Sequence, residues 1–226
     1  MSAREGILSR IRNVLNATDA EDDPRKVAAS ARIDFPPRGV IPARGQLGLD
    51  GRVKLFKKMA EGAAATVEKV TSSADVPKRL AAYLRKHNLG ANVRMGGDKR
   101  LRAMPWAEER TLQVSIGPSD GSDEVAVSHA LAGIAESGTL ALVSGRDNPT
   151  TLNLLPEHHI VVVDAAEITG DMETMLDMLR DSFGKGTMPR TVNFVTGPSR
   201  SADIEQTLLL GAHGPRALHI IIVGGK

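Results

Sequence analysis

The second half of the chain alternates short, nearly unbroken apolar runs with polar, glycine-containing stretches, a rhythm that predicts buried strands separated by loops and helices. Leu112 to Ile116, Glu124 to Val127, Thr139 to Val143, Ile160 to Asp164, Thr191 to Val195 and Leu218 to Val223 read as strands. A strand stays apolar throughout when both of its faces are covered, so these runs predict a sheet between helical layers. Earlier, Arg52 to Gly62 reads as a helix, Ala65 to Val70 as a strand, Val76 to His87 as a helix ending near Gly90, and Ala91 to Met95 as a strand. Asp171 can cap a helix whose Met172, Met175, Leu176, Leu179 and Phe183 fall on one face and which stops at Gly184. Ala202 to Leu210 reads as a last helix before Gly211. Strand, helix and strand in succession predict an α/β fold with a mainly parallel sheet flanked by helices.

The start of the chain has a different pattern. Ile7, Leu8, Ile11, Val14 and Leu15 recur at helical intervals between Arg4, Arg10 and Arg12, so residues 1 to 16 read as an amphipathic helix. Docking on protein is its first reading, with a membrane surface or a transit-type segment as alternatives. Ala17 to Gly51 is punctuated by EDDP, FPPRG, IPARG and LGLDG and reads as an extended arm. Two domains are expected: a helix and arm over 1 to 51, and an α/β domain over 52 to 226. No apolar stretch reaches membrane-spanning length and no signal peptide is legible, which points to the cytoplasm.

Composition narrows the chemistry. Aromatics are only 3% of the 226 residues, so the core must be aliphatic. Cysteine is absent, which excludes disulfides, thiolate nucleophiles and cysteine-ligated zinc or iron-sulfur centres on this chain. The net charge of +2 conceals a division: residues 1 to 110 hold 22 Lys+Arg against 13 Asp+Glu, and residues 111 to 226 hold 7 against 14. This asymmetry is either a pair of solvated faces or a field that steers an acidic partner or anionic substrate. Dispersed basic residues without interleaved aromatics argue against nucleic acid.

Two loops stand out. In VTGPSRSADIE, Gly197 and Pro198 permit a tight turn, Ser199 and Ser201 can cap a following helix, and Arg200 can hold a carboxylate or phosphate through its planar fork. Asp203 and Glu205 would sit in the first helical turn, repelling a polyphosphate and favouring a small carboxylate, a hydroxyl or a partner side chain. In AESGT, Glu136 is either a base or nucleophile or a residue that holds its loop through backbone amides, with Ser137, Gly138 and Thr139 offering hydroxyl and amide donors. Ser144, Gly145 and Arg146 follow the next strand and are expected to share a cleft with that loop. Glu157, His158 and His159 adjoin a strand entrance, where neighbouring residues face opposite ways and cannot easily share a metal. With HExxH absent and His213 read as part of a turn, no metal site is expected.

AESGT, LLPEHHIVVV, GPSRSADIE and LLGAHGPRALHIIIV, in that order and spacing, resemble the lactate utilisation protein C family, the LUD-domain proteins. The resemblance is most specific from Asp123 to Val223. It implies a fold of the NagB/RpiA/CoA-transferase-like type and a part in oxidising L-lactate to pyruvate. There this chain would be an accessory subunit beside cysteine-rich iron-sulfur partners, binding no cofactor itself, with a small carboxylate as its candidate ligand. The positions it marks are Glu136, Gly138, Thr139, Pro156, His159, Gly197, Pro198, Ser199, Arg200, Asp203, Gly214 and Pro215, while Ser137 stands where the family often has threonine. Two alternatives stay open. One is a self-contained acyl- or CoA-type transferase or hydrolase using Glu136, and the other is a ligand-sensing module without chemistry.

Overall fold

The computed structural model describes residues 2–18, 20–202 and 208–224. It divides into two units, 1–39 and 40–226. The first holds α1 (Ala3–Val14) and α2 (Pro24–Asp34), neither of which buries a residue. Ser2 and Glu5 form a reciprocal capping box on α1, and Asp23 caps α2 ahead of Pro24. Arg25 pairs with Asp23 at 3.3 Å and donates to the carbonyls of Leu15 and Asn16 at the end of α1. Thus the stretch 17–51 is not an arm throughout. Its Asp-Pro pair starts a helix, and residues 40–51 belong to the larger unit.

That unit runs through α3 (Leu49–Gly62), β1 (Thr66–Val70), α4 (Val76–Lys86), β2 (Asn92–Met95), α5 (Lys99–Arg102), β3 (Gln113–Ile116), β4 (Val125–His129), β5 (Ala132–Ile134) and β6 (Thr139–Val143). It continues with α6 (Thr151–Leu154), β7 (His158–Asp164), β8 (Ile168–Thr169), α7 (Met172–Phe183), β9 (Val192–Val195), β10 (Arg200–Ala202), β11 (Leu208–Leu210) and β12 (Ala217–Val223). Six strands form one sheet in the order β1-β12-β7-β4-β2-β3, and every pairing in it is parallel. The fold is the predicted α/β type. The apolar runs explain themselves in β7, where Val161 and Val163 pack towards Phe56 and Ala60 of α3 while Ile160 and Val162 pack towards Leu80 and Leu84 of α4.

The strand prediction needs one division. β6 and β9 belong to a second sheet, β8-β5-β6-β9, in which β6 is antiparallel to both neighbours. This sheet lies between α3, through Leu140 and Leu142, and α7, through Met175. Asp171 caps α7 by accepting from the Thr174 amide at 2.8 Å, and Gly184 ends it at φ +90°. The predicted helix Ala202 to Leu210 is absent at both described ends: Arg200–Ala202 pairs antiparallel with Leu208–Leu210. Serine beside small and apolar residues suits a turn or strand as readily as a helix cap, so the capping roles read for Ser199 and Ser201 fall away. Asp203 and Glu205 lie outside the described residues. Among the described residues, no helix is long and apolar enough to cross a membrane.

Candidate functional site

Antiparallel pairing of Leu140 with Val195 sets the loop before β6 beside the loop after β9. Ser137 Oγ lies 2.7 Å from Thr139 Oγ1, which lies 2.6 Å from Thr196 Oγ1, so three hydroxyls run in a chain across the two loops. Both glycines are needed, for a reason the motifs do not reveal. Gly138 has φ +68° and a Cβ there would meet the Ala60 nitrogen at 2.3 Å, while Gly197 has φ +75° and a Cβ would meet the Ala63 oxygen at 2.1 Å. They admit the end of α3 rather than a ligand. Arg200 is committed to the same place, donating to the Ala63 carbonyl at 2.7 Å and satisfying a helix end. Glu136 is buried; Oε1 accepts from the Met172 amide at the start of α7 at 3.0 Å, and Oε2 has no hydrogen-bond partner among the described residues.

These loops lie towards the amino end of the parallel sheet, not its carboxyl end. Ser199 donates its amide to the Pro215 carbonyl at 2.8 Å, and Gly214 approaches the Ser199 Cβ, which ties the segment to the turn feeding β12. Beside that turn is a cleft of about 570 Å³ lined by Leu154 to Glu157 and by Leu210 to Gly214 with Arg216. Pro156 is buried, His213 is exposed, and Glu157 pairs with Arg216 at 2.9 Å.

Ser144, Gly145 and Arg146 do not join this group. They follow the far end of β6, where Ser144 exchanges hydrogen bonds with Thr191, and the five residues of β6 hold them about 15 Å from Thr139. The expected shared cleft fails because a strand, not a loop, separates the two motifs. The histidines diverge as strand alternation requires. His158 lies 2.9 Å from the Tyr83 hydroxyl under α4, whereas His159 lies 2.9 Å from Ser128 Oγ on the opposite face. Burial depresses His159 to about 3 and His219, stacked on Tyr83, to about 4, so both rings are neutral at physiological pH.

At the carboxyl end, residues without a family motif converge. The order in which strands are added reverses between β2 and β4, since the chain leaves β2 for β3 on one side and leaves β4 for β7 and β12 on the other. Crevices at such reversals are the usual ligand sites of open α/β sheets. His129 ends β4 opposite Val162, and Asp164, two residues further along β7, shares that face. Glu167 follows in a short 3-10 turn. From the loop after β2, Asp98 pairs with Arg100 at 3.0 Å, and Arg100 reaches Glu167 at 3.3 Å. Asn148 donates to Asp98 at 3.4 Å, and the Asp147 carbonyl packs on Gly96, so the loop carrying Arg146 lies against this edge.

The charges there are mutually dependent. Burial, augmented by Asp164 and Asp98 against the opposite pull of Arg100, pushes Glu167 up to about 7. Burial and Arg100 push His129 down. Burial alone would raise Asp98, but the hydrogen bonds from Arg100 hold its carboxyl below the usual range. Donor atoms of His129, Asp164 and Glu167 all lie within 4.8 Å of one another. Sequence reading passed over this cluster because His129 ends one strand while Asp164 and Glu167 end and follow another, far along the chain. The available signal was polar residues ending apolar strands, AVSH and VVVD, together with MGGD after β2.

A model of the LUD domain matches residues 53–223. Lactate utilization protein C of Bacillus subtilis (strain 168) is 38% identical over 136 residues, covering 56% of this chain and 57% of the relative. Its namesake in Shouchella clausii (strain KSM-K16) is 34% identical over 119 residues, covering 53% and 52%. The chain therefore spans about half the length of the curated relatives it matches. A crystal structure of a DUF162 family protein from Deinococcus radiodurans superposes with a TM-score of 0.56 at 20% identity, covering 79% of this chain and 99% of that one, a likeness of fold.

Proposed function

Because the chain belongs to the LUD-domain family, we propose that it serves lactate utilisation as an accessory subunit, docking iron-sulfur partners that carry the electrons from L-lactate. Its relatives bear the name Lactate utilization protein C, and a chain without cysteine must leave thiolate-held clusters to other subunits. The observation that carries the docking role is the cleft before β12. Leu154, Leu155 and Leu210 line it and are 48%, 47% and 55% exposed. Apolar side chains gathered in a concave surface, with the Glu157–Arg216 pair at their side, have the anatomy of a protein interface. Arg146, exposed and without an ion pair among the described residues, is the cation offered to a small carboxylate, since Arg200 is already engaged.

Reconstituted lactate-dependent dye reduction, with and without this chain, tests the proposal. Activity should depend on the chain, and Leu155→Asp should remove both capture of the partners and that dependence. Partners that keep full activity and never bind the chain would refute it. The unpartnered Oε2 of Glu136 favours a second reading, an acyl or CoA-type transferase with that carboxylate as nucleophile. It requires turnover by the isolated chain that Glu136→Gln abolishes while the fold survives.

A further inference from the structure

We propose that the carboxyl edge of the six-stranded sheet binds a divalent first-row cation, Zn²⁺ or Mn²⁺, through His129, Asp164 and Glu167. This inference stands apart from the lactate reading. The decisive side chain is His129, which is 1% exposed. Its Nδ1 lies 2.9 Å from the Ala130 carbonyl oxygen, which can only accept, so Nδ1 carries a proton and, in the neutral ring, Nε2 presents a lone pair. That lone pair faces Asp164 Oδ2 at 3.6 Å, beyond hydrogen-bond reach. Two acceptors this close, one of them on a buried ring, repel, and a cation between them converts the repulsion into two bonds. Anchoring Nδ1–H on a backbone carbonyl is also how proteins orient a histidine that binds metal through its other nitrogen.

The surroundings agree. Asp98, Asp164 and Glu167 outnumber Arg100, the one cation paired among them within the described residues, and a divalent ion offsets the excess. An imidazole with two carboxylates suits Zn²⁺ or Mn²⁺ better than the all-oxygen preferences of Ca²⁺ and Mg²⁺. Bonds of about 2.0–2.2 Å bring donors closer than the present spacing, an adjustment within reach of side-chain rotation by the two carboxylates. The Asp164 and Glu167 side chains are 38% and 29% exposed, which leaves an entry path. Three protein donors leave at least one position for water or a small oxygen ligand.

The test uses the full chain, stripped with a chelator and titrated at neutral pH with Zn²⁺ and Mn²⁺ by calorimetry, and with Co²⁺ by visible absorption. One saturable equivalent is expected, with a Co²⁺ spectrum of nitrogen and oxygen ligation. Asp164→Asn and Glu167→Gln should each weaken binding by about tenfold or more. These two partly exposed positions carry the test, because His129→Gln risks the fold, and a thermal melt verifies that each variant is folded. Absence of saturable binding overturns the proposal. So does binding that both variants leave unchanged, which would place the ion on other histidines such as His87 or His213.

Discussion

The two ends of the parallel sheet use polar residues in opposite ways. At the amino end, apart from the Glu136 carboxylate, polar groups are mostly paired or held neutral: three hydroxyls in a chain, Arg200 on a helix carbonyl, and His158, His159 and His219 with protonation suppressed by burial. At the carboxyl end, ionisable groups face one another with their charges incompletely matched. The first arrangement stabilises a shape, and the second is the one on which the proposed cation site rests. The recognisable motifs lie mostly at the first end, so they report above all on how α3, β6, β9 and the turn before β12 fit together.

Glycine substitution should separate the ends most sharply. Gly138→Ala forces a side chain into the backbone of α3 at φ +68° and should cost about 3 kcal/mol or more in urea unfolding. Gly145→Ala, at the other end of β6, meets nothing within 4 Å and should change stability by less than about 0.5 kcal/mol. Equal effects would break the contrast.

Acid should act next most strongly, through the amino end. His159 and His219 have folded pKa values of about 3 and about 4, below the ordinary 6.5, so the unfolded chain binds protons more readily. Their stabilisation is therefore complete above about pH 6.5 and is lost as pH falls towards 4, by about 3 kcal/mol for His219 alone. Urea melts across that range should show the slope, and His219→Gln should flatten it. A slope unchanged in both His219→Gln and His159→Leu would remove the neutral-ring account.

At the carboxyl end, Asp98 holds the Arg100 amide and guanidinium and is buried. Asp98→Ala should cost about 2 kcal/mol, seen as a lower urea midpoint. The smallest effect belongs to Glu157→Gln, which breaks a half-exposed ion pair beside the docking cleft and should cost less than about 0.5 kcal/mol in the same measurement.

Much of the fold was legible because its causes are local or periodic. β7 and β12 announce themselves as apolar runs, and α7 carries both its Asp171 cap and its Gly184 stop. The β10–β11 pair was misread because a strand edge and a helix start accept the same serines, and only the pairing of Arg200 with Leu210 decides between them. β5 and β8 escaped notice because strands of three and two residues show no period. In the candidate sites, the alternation that sends His158 and His159 to opposite faces could be read directly. The meeting of His129 with Asp164 could not, since it depends on the parallel register that sets His129 beside Val162.

The most direct test of two ends with two tasks measures capture of purified iron-sulfur partners by three forms of the chain: unmodified, Leu155→Asp and Asp164→Asn. The account predicts that Leu155→Asp loses the partners and Asp164→Asn keeps them, because docking belongs to the amino end and ion binding to the other. Capture that survives Leu155→Asp but fails in a folded Asp164→Asn would contradict it.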